Sequence, residues 1–217
     1  MPSLRHWFSE SIIVRIVAGL ALAAAILFAI GWLIKSPFKE YPAALDSSVR
    51  YALRQTQSPM WTALYLTVTK LGSTLYLSIV GCIAGLGFIV VRWFRPVLLL
   101  IIVMAGQAVL HHGFKWLFAR PRPSALISYR TAEGSSFPSG HAIGAVCLYL
   151  AIAWIISVRL ENPAAKFGIW IFAVLLVFLI GMSRAYIGVH YPTDVVAGFL
   201  AGAVWTAAVM SSDRSEL

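Results

Sequence analysis

The sequence predicts an all-α, polytopic membrane protein with six transmembrane helices and an interfacial helix between the first two spans. Three observations lead there. Apolar residues make up 60% of the 217-residue chain and charged residues only 12%, against roughly 25% charged in soluble domains. The apolar residues come in runs of the length a bilayer needs, about 20 residues for a hydrocarbon core of about 30 Å. Several connections between those runs are short and basic, as membrane boundaries are. The length, and a sequence without internal repeats, point to one domain over 1–217.

The first apolar run, 12–34, outlasts the roughly 7–15 residues of a secretory leader, so it reads as a retained span. The segment 35–73 then mixes Lys35, Lys39, Arg50 and Arg54 with apolar residues. Within it, Ser58 to Lys70 carries Trp61, Leu64, Tyr65 and Val68 at helical spacing. That pattern places a helix at the interface, with the aromatic residues as anchors. Gly72-Ser73 breaks it from a second span at 74–92, and further spans follow at 96–118, 140–158, 166–186 and 194–210. Gly81, Gly85 and Gly87 give the second span a face that permits close helix packing. Cys82 and Cys147 lie inside apolar runs at no metal-binding or disulfide spacing, so they read as small buried side chains and no metal site is expected.

An even number of spans puts both termini on one side. Arg5, Arg92, Arg95, Arg159, Lys166 and Arg214 stand there in tails and short turns, which favours that side as cytoplasmic. His6, in the amino-terminal tail, carries no signal. The net charge of +9 suits an anionic partner. The basic residues stand between apolar spans and form no continuous stripe, so lipid headgroups fit better than nucleic acid.

The opposite side collects three clusters: Lys115 with Arg122-Pro123, then Pro138-Ser139-Gly140-His141, then Ser183-Arg184 with His190 and Asp194. A charged group at mid-membrane costs about 2.5–3.5 kcal/mol on insertion scales, so ionisable groups set beside spans mark function. Arg120 and Arg122 each precede a proline, which holds their loop extended. Arginine recognises phosphate oxygens in pairs, and lysine supplies a point charge. Ser139 suits the N-cap of a helix opened by Gly140 and His141, whose amides and dipole favour an anion. Gly140 leaves room for a phosphate oxygen to approach. His141 beside that anion can serve as general acid toward a leaving alkoxide. Arg184 adds a third cation. Pro192 sets His190 and Asp194 apart in a turn, with Asp194 opening the last span. A carboxylate on one ring nitrogen leaves the other free to attack phosphorus. Taken singly, these clusters also fit a basic boundary, a capped helix and a structural Arg–Asp pair; as one ordered set they point to phosphate chemistry. His111 and His112, one turn before Lys115, read as interfacial or packing residues, or as one further wall of the site.

The pattern Lys-x6-Arg-Pro, Pro-Ser-Gly-His, Ser-Arg-x5-His-x3-Asp resembles the type 2 phosphatidic acid phosphatase family, which shares its site with vanadium haloperoxidases and glucose-6-phosphatase. Tyr186, Gly188 and Tyr191-Pro192 also match. The resemblance implies His190 as nucleophile, Asp194 as its orienting partner and His141 as acid. It implies that Lys115, Arg122, Arg184, Ser139 and the Gly140 amide bind the phosphate. It further implies a phosphatase that needs no metal or cofactor. Such an enzyme removes phosphate from phosphatidylglycerophosphate, phosphatidate, undecaprenyl diphosphate or a lipid A phosphate through a phosphohistidine. In bacterial relatives such a site faces the periplasm or exterior from the inner membrane. Six apolar spans argue against a soluble haloperoxidase. The competing reading is a non-catalytic lipid-phosphate binding or transport protein on the same anion site, against which the intact histidines and aspartate stand. No obligate protein partner is evident in the sequence.

Overall fold

The computed structural model describes residues 10–124 and 134–212; Arg5, His6 and Arg214 fall outside them. Helix α1 runs Glu10–Lys35, α2 Glu40–Gln55, α3 Pro59–Val68, α4 Thr74–Val90 and α5 Phe94–Phe118. After the connection come α6 Gly140–Ala145, a π turn Val146–Leu150 and α7 Ala151–Arg159, which together form one spanning rod, then α8 Pro163–Ile187 and α9 Pro192–Ser211.

Five rods are long and apolar enough to cross a membrane: α1, α5, the 140–159 rod, α8 and α9. The expected second span differs in shape. Helix α4 has 17 residues, and the stretch Pro59–Gly72 before it meets it at 57°. Counted as one broken span they give a sixth crossing, and counted as a re-entrant loop they leave five; in both cases the expected interfacial helix and second span are two limbs of one bent unit. The bend has local causes. Ser73 caps α4 by accepting the Tyr76 amide, which restarts the helix in a new direction. At Gly72 a Cβ would run into Ile180 and come within 3.0 Å of the His141 ring, so only glycine lets the bend seat there. Of the glycines on α4, a Cβ at Gly81 would touch Leu148, but one at Gly85 or Gly87 would meet nothing within 4 Å, so that face is not packed inside the monomer as a stripe.

Helix α2 is an element the sequence pattern did not announce. Its Ser47 and Ser48 hydroxyls return to the Ala43 and Ala44 carbonyls, which keeps them from competing with the helix. Tyr41, Leu45 and Tyr51 face outward, whereas Pro42 and Asp46 are buried.

The core runs along α9. Ala197, Ala201, Trp205 and Val209 pack with Ile143, Cys147, Leu148 and Ile155 of the neighbouring rod. Trp205 lies across Gly106 of α5 and donates its indole N–H to the Val103 carbonyl at 2.8 Å. Gly19 of α1 admits Ala208 where no side chain would fit. The packing brings the end of α5, the start of α6, the end of α8 and the start of α9 to one rim of the bundle.

Candidate active site

Helix α5 stops at Ala119, which takes a left-handed conformation at φ 42° and sends Arg120–Pro123 into an irregular loop. The loop is held from the other side. The Ser136 amide donates to the Arg120 carbonyl at 2.8 Å, and its hydroxyl donates to the Pro121 carbonyl at 3.2 Å. Arg122 therefore arrives in a fixed place. Its Nη1 donates to the Val189 carbonyl at 2.8 Å, and its Nε donates to the Gly134 carbonyl at 3.1 Å. The same Nη1 lies 3.3 Å from His190 Nε2. A guanidinium only donates, so Nε2 meets it with a lone pair and the ring proton sits on Nδ1.

His190 reaches this position because Gly188 closes α8 at φ 83°, and the amides of Val189 and His190 return to the Arg184 carbonyl. A left-handed residue at a helix end is the place where glycine is favoured. His190 Nδ1 stands 3.7 Å from Asp194 Oδ2, an electrostatic contact longer than a hydrogen bond. Asp194 is fully buried. Its Oδ2 accepts the Tyr191 amide at 2.9 Å and its Oδ1 accepts Arg120 Nη1 at 2.6 Å. Burial pushes His190 down to about 4; Asp194 pulls against it, and Arg184 and Arg122 push the same way as burial. The ring is therefore neutral at neutral pH.

Two expectations about the second cluster change. Ser139 occupies the N-cap position, but its hydroxyl caps nothing and is buried without a hydrogen-bond partner. Its amide is spent on the Asp194 carbonyl at 3.1 Å. The reason for a glycine at 140 is also different. A Cβ there would lie 2.5 Å from Cε1 of His111, so the bare position admits a histidine ring. His111 thereby joins the wall of the site, with His112 beside it at 5.0 Å between ring centroids.

Arg184 is buried and donates from Nη1 to Thr69 Oγ1 at 2.7 Å, so the bent unit helps to aim it. The Ser183 hydroxyl is spent on the Ile180 carbonyl of its own helix. A cavity of ≈ 320 Å³ is lined by Lys115, Arg122, Gly140, His141, Arg184 and His190, together with His111, His112, Gln107 and Ser78 among others. Of the expected residues, Asp194 and Ser139 stand outside that lining, Asp194 against His190. Among the described residues no three His, Cys, Asp or Glu side chains converge as a metal-binding set.

Sequence reasoning missed the polar residues around this constellation: Asp46 of α2, Thr69, Thr193 and the ion-pairing role of Arg120. Asp46 had one signal. The chain holds only eight acidic residues, so each carboxylate is scarce enough to ask what pairs with it.

The family model of the PAP2 superfamily matches residues 96–215, a stretch that contains every expected site residue. The chain belongs to the PAP2 superfamily. It is 31% identical over 159 residues to phosphatidylglycerophosphatase B of Bacillus subtilis (strain 168), which covers 72% of this chain and 77% of that protein. It also resembles the crystal structure of the first transmembrane PAP2 type phosphatidylglycerolphosphate phosphatase from Bacillus subtilis. That match has a TM-score of 0.79 at 26% identity, over 91% of this chain and 97% of that one. The crystal structure of Aquifex aeolicus LpxE matches at a TM-score of 0.61 and 26% identity, over 77% of this chain and 95% of that one. This PAP2 protein is a multi-pass membrane lipid phosphatase, a phosphoric ester hydrolase acting on lipid phosphates.

Proposed function

We propose that this PAP2 phosphatase hydrolyses phosphatidylglycerophosphate or a similar lipid phosphate through a phosphohistidine on His190. One observation carries the reading: the Arg122 guanidinium stands 3.3 Å from His190 Nε2. A phosphoryl group paired with Arg122 lies beside the nitrogen whose lone pair faces that guanidinium. Phosphoryl transfer is catalysed mainly by positioning and by cations around the equatorial oxygens. Lys115, Arg122 and Arg184 supply the cations, and the Gly140 amide supplies a neutral donor.

In the first step a bond forms from Nε2 to phosphorus, and the bond from phosphorus to the lipid oxygen breaks. His141 gives its proton to that oxygen, releasing an alcohol from a monoester or a lipid monophosphate from a diphosphate. The His190 ring turns cationic, and Asp194 at 3.7 Å stabilises it. In the second step water attacks phosphorus, its proton passes to His141, the Nε2–phosphorus bond breaks and inorganic phosphate leaves.

The substrate reading is supported by the names of the similar Bacillus subtilis proteins. A phosphate-release panel over phosphatidylglycerophosphate, phosphatidate and undecaprenyl diphosphate ranks the candidates. Acid-labile, base-stable phosphate trapped on the wild-type chain and lost in His190→Ala is the expected sign of the intermediate. Turnover should persist in excess chelator; a strict magnesium requirement overturns the mechanism. The site rim faces the exterior of a bacterial inner membrane, with the termini cytoplasmic. Labelling of a cysteine introduced at Ser124 by an impermeant maleimide on intact cells tests this.

A further inference from the structure

Behind the His190–Asp194 pair lies a buried polar network whose members do not line the ≈ 320 Å³ cavity. Asp46 is 2% exposed and comes from α2, far from the signature clusters in sequence. Its Oδ1 accepts the Thr193 amide at 2.9 Å. Its Oδ2 accepts the Thr193 hydroxyl at 2.9 Å and Arg120 Nη2 at 2.8 Å. The Thr193 amide is one of the donors that α9 leaves unmatched at its start, so Asp46 also places a negative charge at that helix end.

Arg120 carries the network to the pair. Its Nη2 holds Asp46, while its Nη1 donates to Asp194 Oδ1 at 2.6 Å and to Thr193 Oγ1 at 2.9 Å. Its guanidinium lies 3.8 Å from the centroid of the Tyr191 ring. Arg120 does not line the ≈ 320 Å³ cavity, so it is not one of the phosphate-facing cations. Its effect on Asp194 is geometric. With Oδ1 tied to Arg120 and Oδ2 tied to the Tyr191 amide, the carboxylate cannot rotate, and Oδ2 stays turned toward His190 Nδ1.

We propose that Asp46 and Arg120 are positioning residues for the His190–Asp194 pair, Asp46 acting through Arg120. The inference rests on His190 being the nucleophile. It makes α2, which lies outside the signatures, part of the catalytic apparatus. A guanidinium can fork between two carboxylates as it does here, and a lysine cannot.

The test uses the full chain purified in detergent, with dioctanoyl phosphatidylglycerophosphate as substrate and orthovanadate as a phosphate-like inhibitor. Asp46→Asn, Arg120→Gln, the double variant and His190→Ala are compared, with rates expressed per vanadate-binding site so that misfolded protein is not counted. Asp46→Asn should lower kcat by about 10- to 100-fold, the range for losing an outer partner of a site residue. KM and vanadate inhibition should stay close to wild type. The double variant should lose no more kcat than Arg120→Gln alone, because the two act as one unit. Should Asp46→Asn yield no folded protein, Arg120→Lys carries the same expectation for kcat and KM. Wild-type kcat in Asp46→Asn, additive losses in the double variant, or a loss confined to KM overturns the proposal. Retained turnover in His190→Ala overturns the nucleophile assignment instead, so the two failures are told apart.

Discussion

The two rods that open the site, 140–159 and α9, differ from the rods around them. In each of the inner two, 61% of the apolar window is buried, against 17% for α1, 28% for α5 and 22% for α8. The inner rods touch backbone to backbone. A Cβ at Gly198 of α9 would lie 3.0 Å from the Ser139 carbonyl oxygen and 3.1 Å from the Ile143 amide. The outer rods show lipid large side chains such as Val14, Phe28, Ile101 and Phe172. Lipid is as apolar as leucine, so outer faces need only be greasy, while inner faces must match in shape. The difference teaches where precision is required: the helix starts that carry Ser139, Gly140, His141 and Asp194 belong to the enclosed pair.

Changes on the inner side should therefore dominate. His190→Ala should reduce phosphate release by about 10^4-fold or more, as loss of a nucleophile does; a purified variant with wild-type release sinks the assignment. Arg122→Lys, which keeps charge but loses the fork, should raise the barrier by about 2.7–4 kcal/mol, the scale for one lost transition-state donor. That is read as a fall in kcat larger than any rise in KM.

Gly198→Val should destabilise the fold by about 1–3 kcal/mol through overpacking, lowering the thermal midpoint in detergent. An unchanged midpoint breaks the contrast between inner and outer helices. Gly85→Ala, with nothing within 4 Å of the new methyl, is the outer counterpart and should leave both midpoint and kcat unchanged.

Acid should also discriminate. His190 is held at about 4 in the fold, against about 6.5 in an unfolded chain. The neutral ring is the reactive form, so kcat/KM should hold from neutral pH down and fall about tenfold per unit below about 4. Between the two values the unfolded chain binds more protons. Stability from this group is therefore complete above about 6.5 and is lost as pH falls toward 4. A kcat/KM profile that breaks near 6.5 contradicts the burial of the ring.

The legible part of the site was the set of ionisable side chains that line it. Lys115, Arg122, His141, Arg184 and His190 announce themselves because cations and histidines are costly beside a membrane, and their spacing matches one pattern. The bend at Gly72-Ser73 was legible too, since glycine followed by a capping serine interrupts a helix locally. The rest was hidden for a common reason. Asp46 pairs with Arg120 across 74 residues and with Thr193 across 147, and no local rule reports such a distance. Gly140 looked like room for a ligand alone, but the place its side chain would take is filled by the His111 ring from another helix.

By itself the sequence determined that the chain forms apolar rods long enough to span a membrane, and that three polar clusters stand at their ends, because length and hydropathy decide those from local composition. Only the tertiary structure decided which rods are enclosed, which hydroxyl is left unpartnered and which carboxylate steadies Asp194. Those outcomes depend on which side chains share space after packing, a property of distances between helices that chain order does not carry.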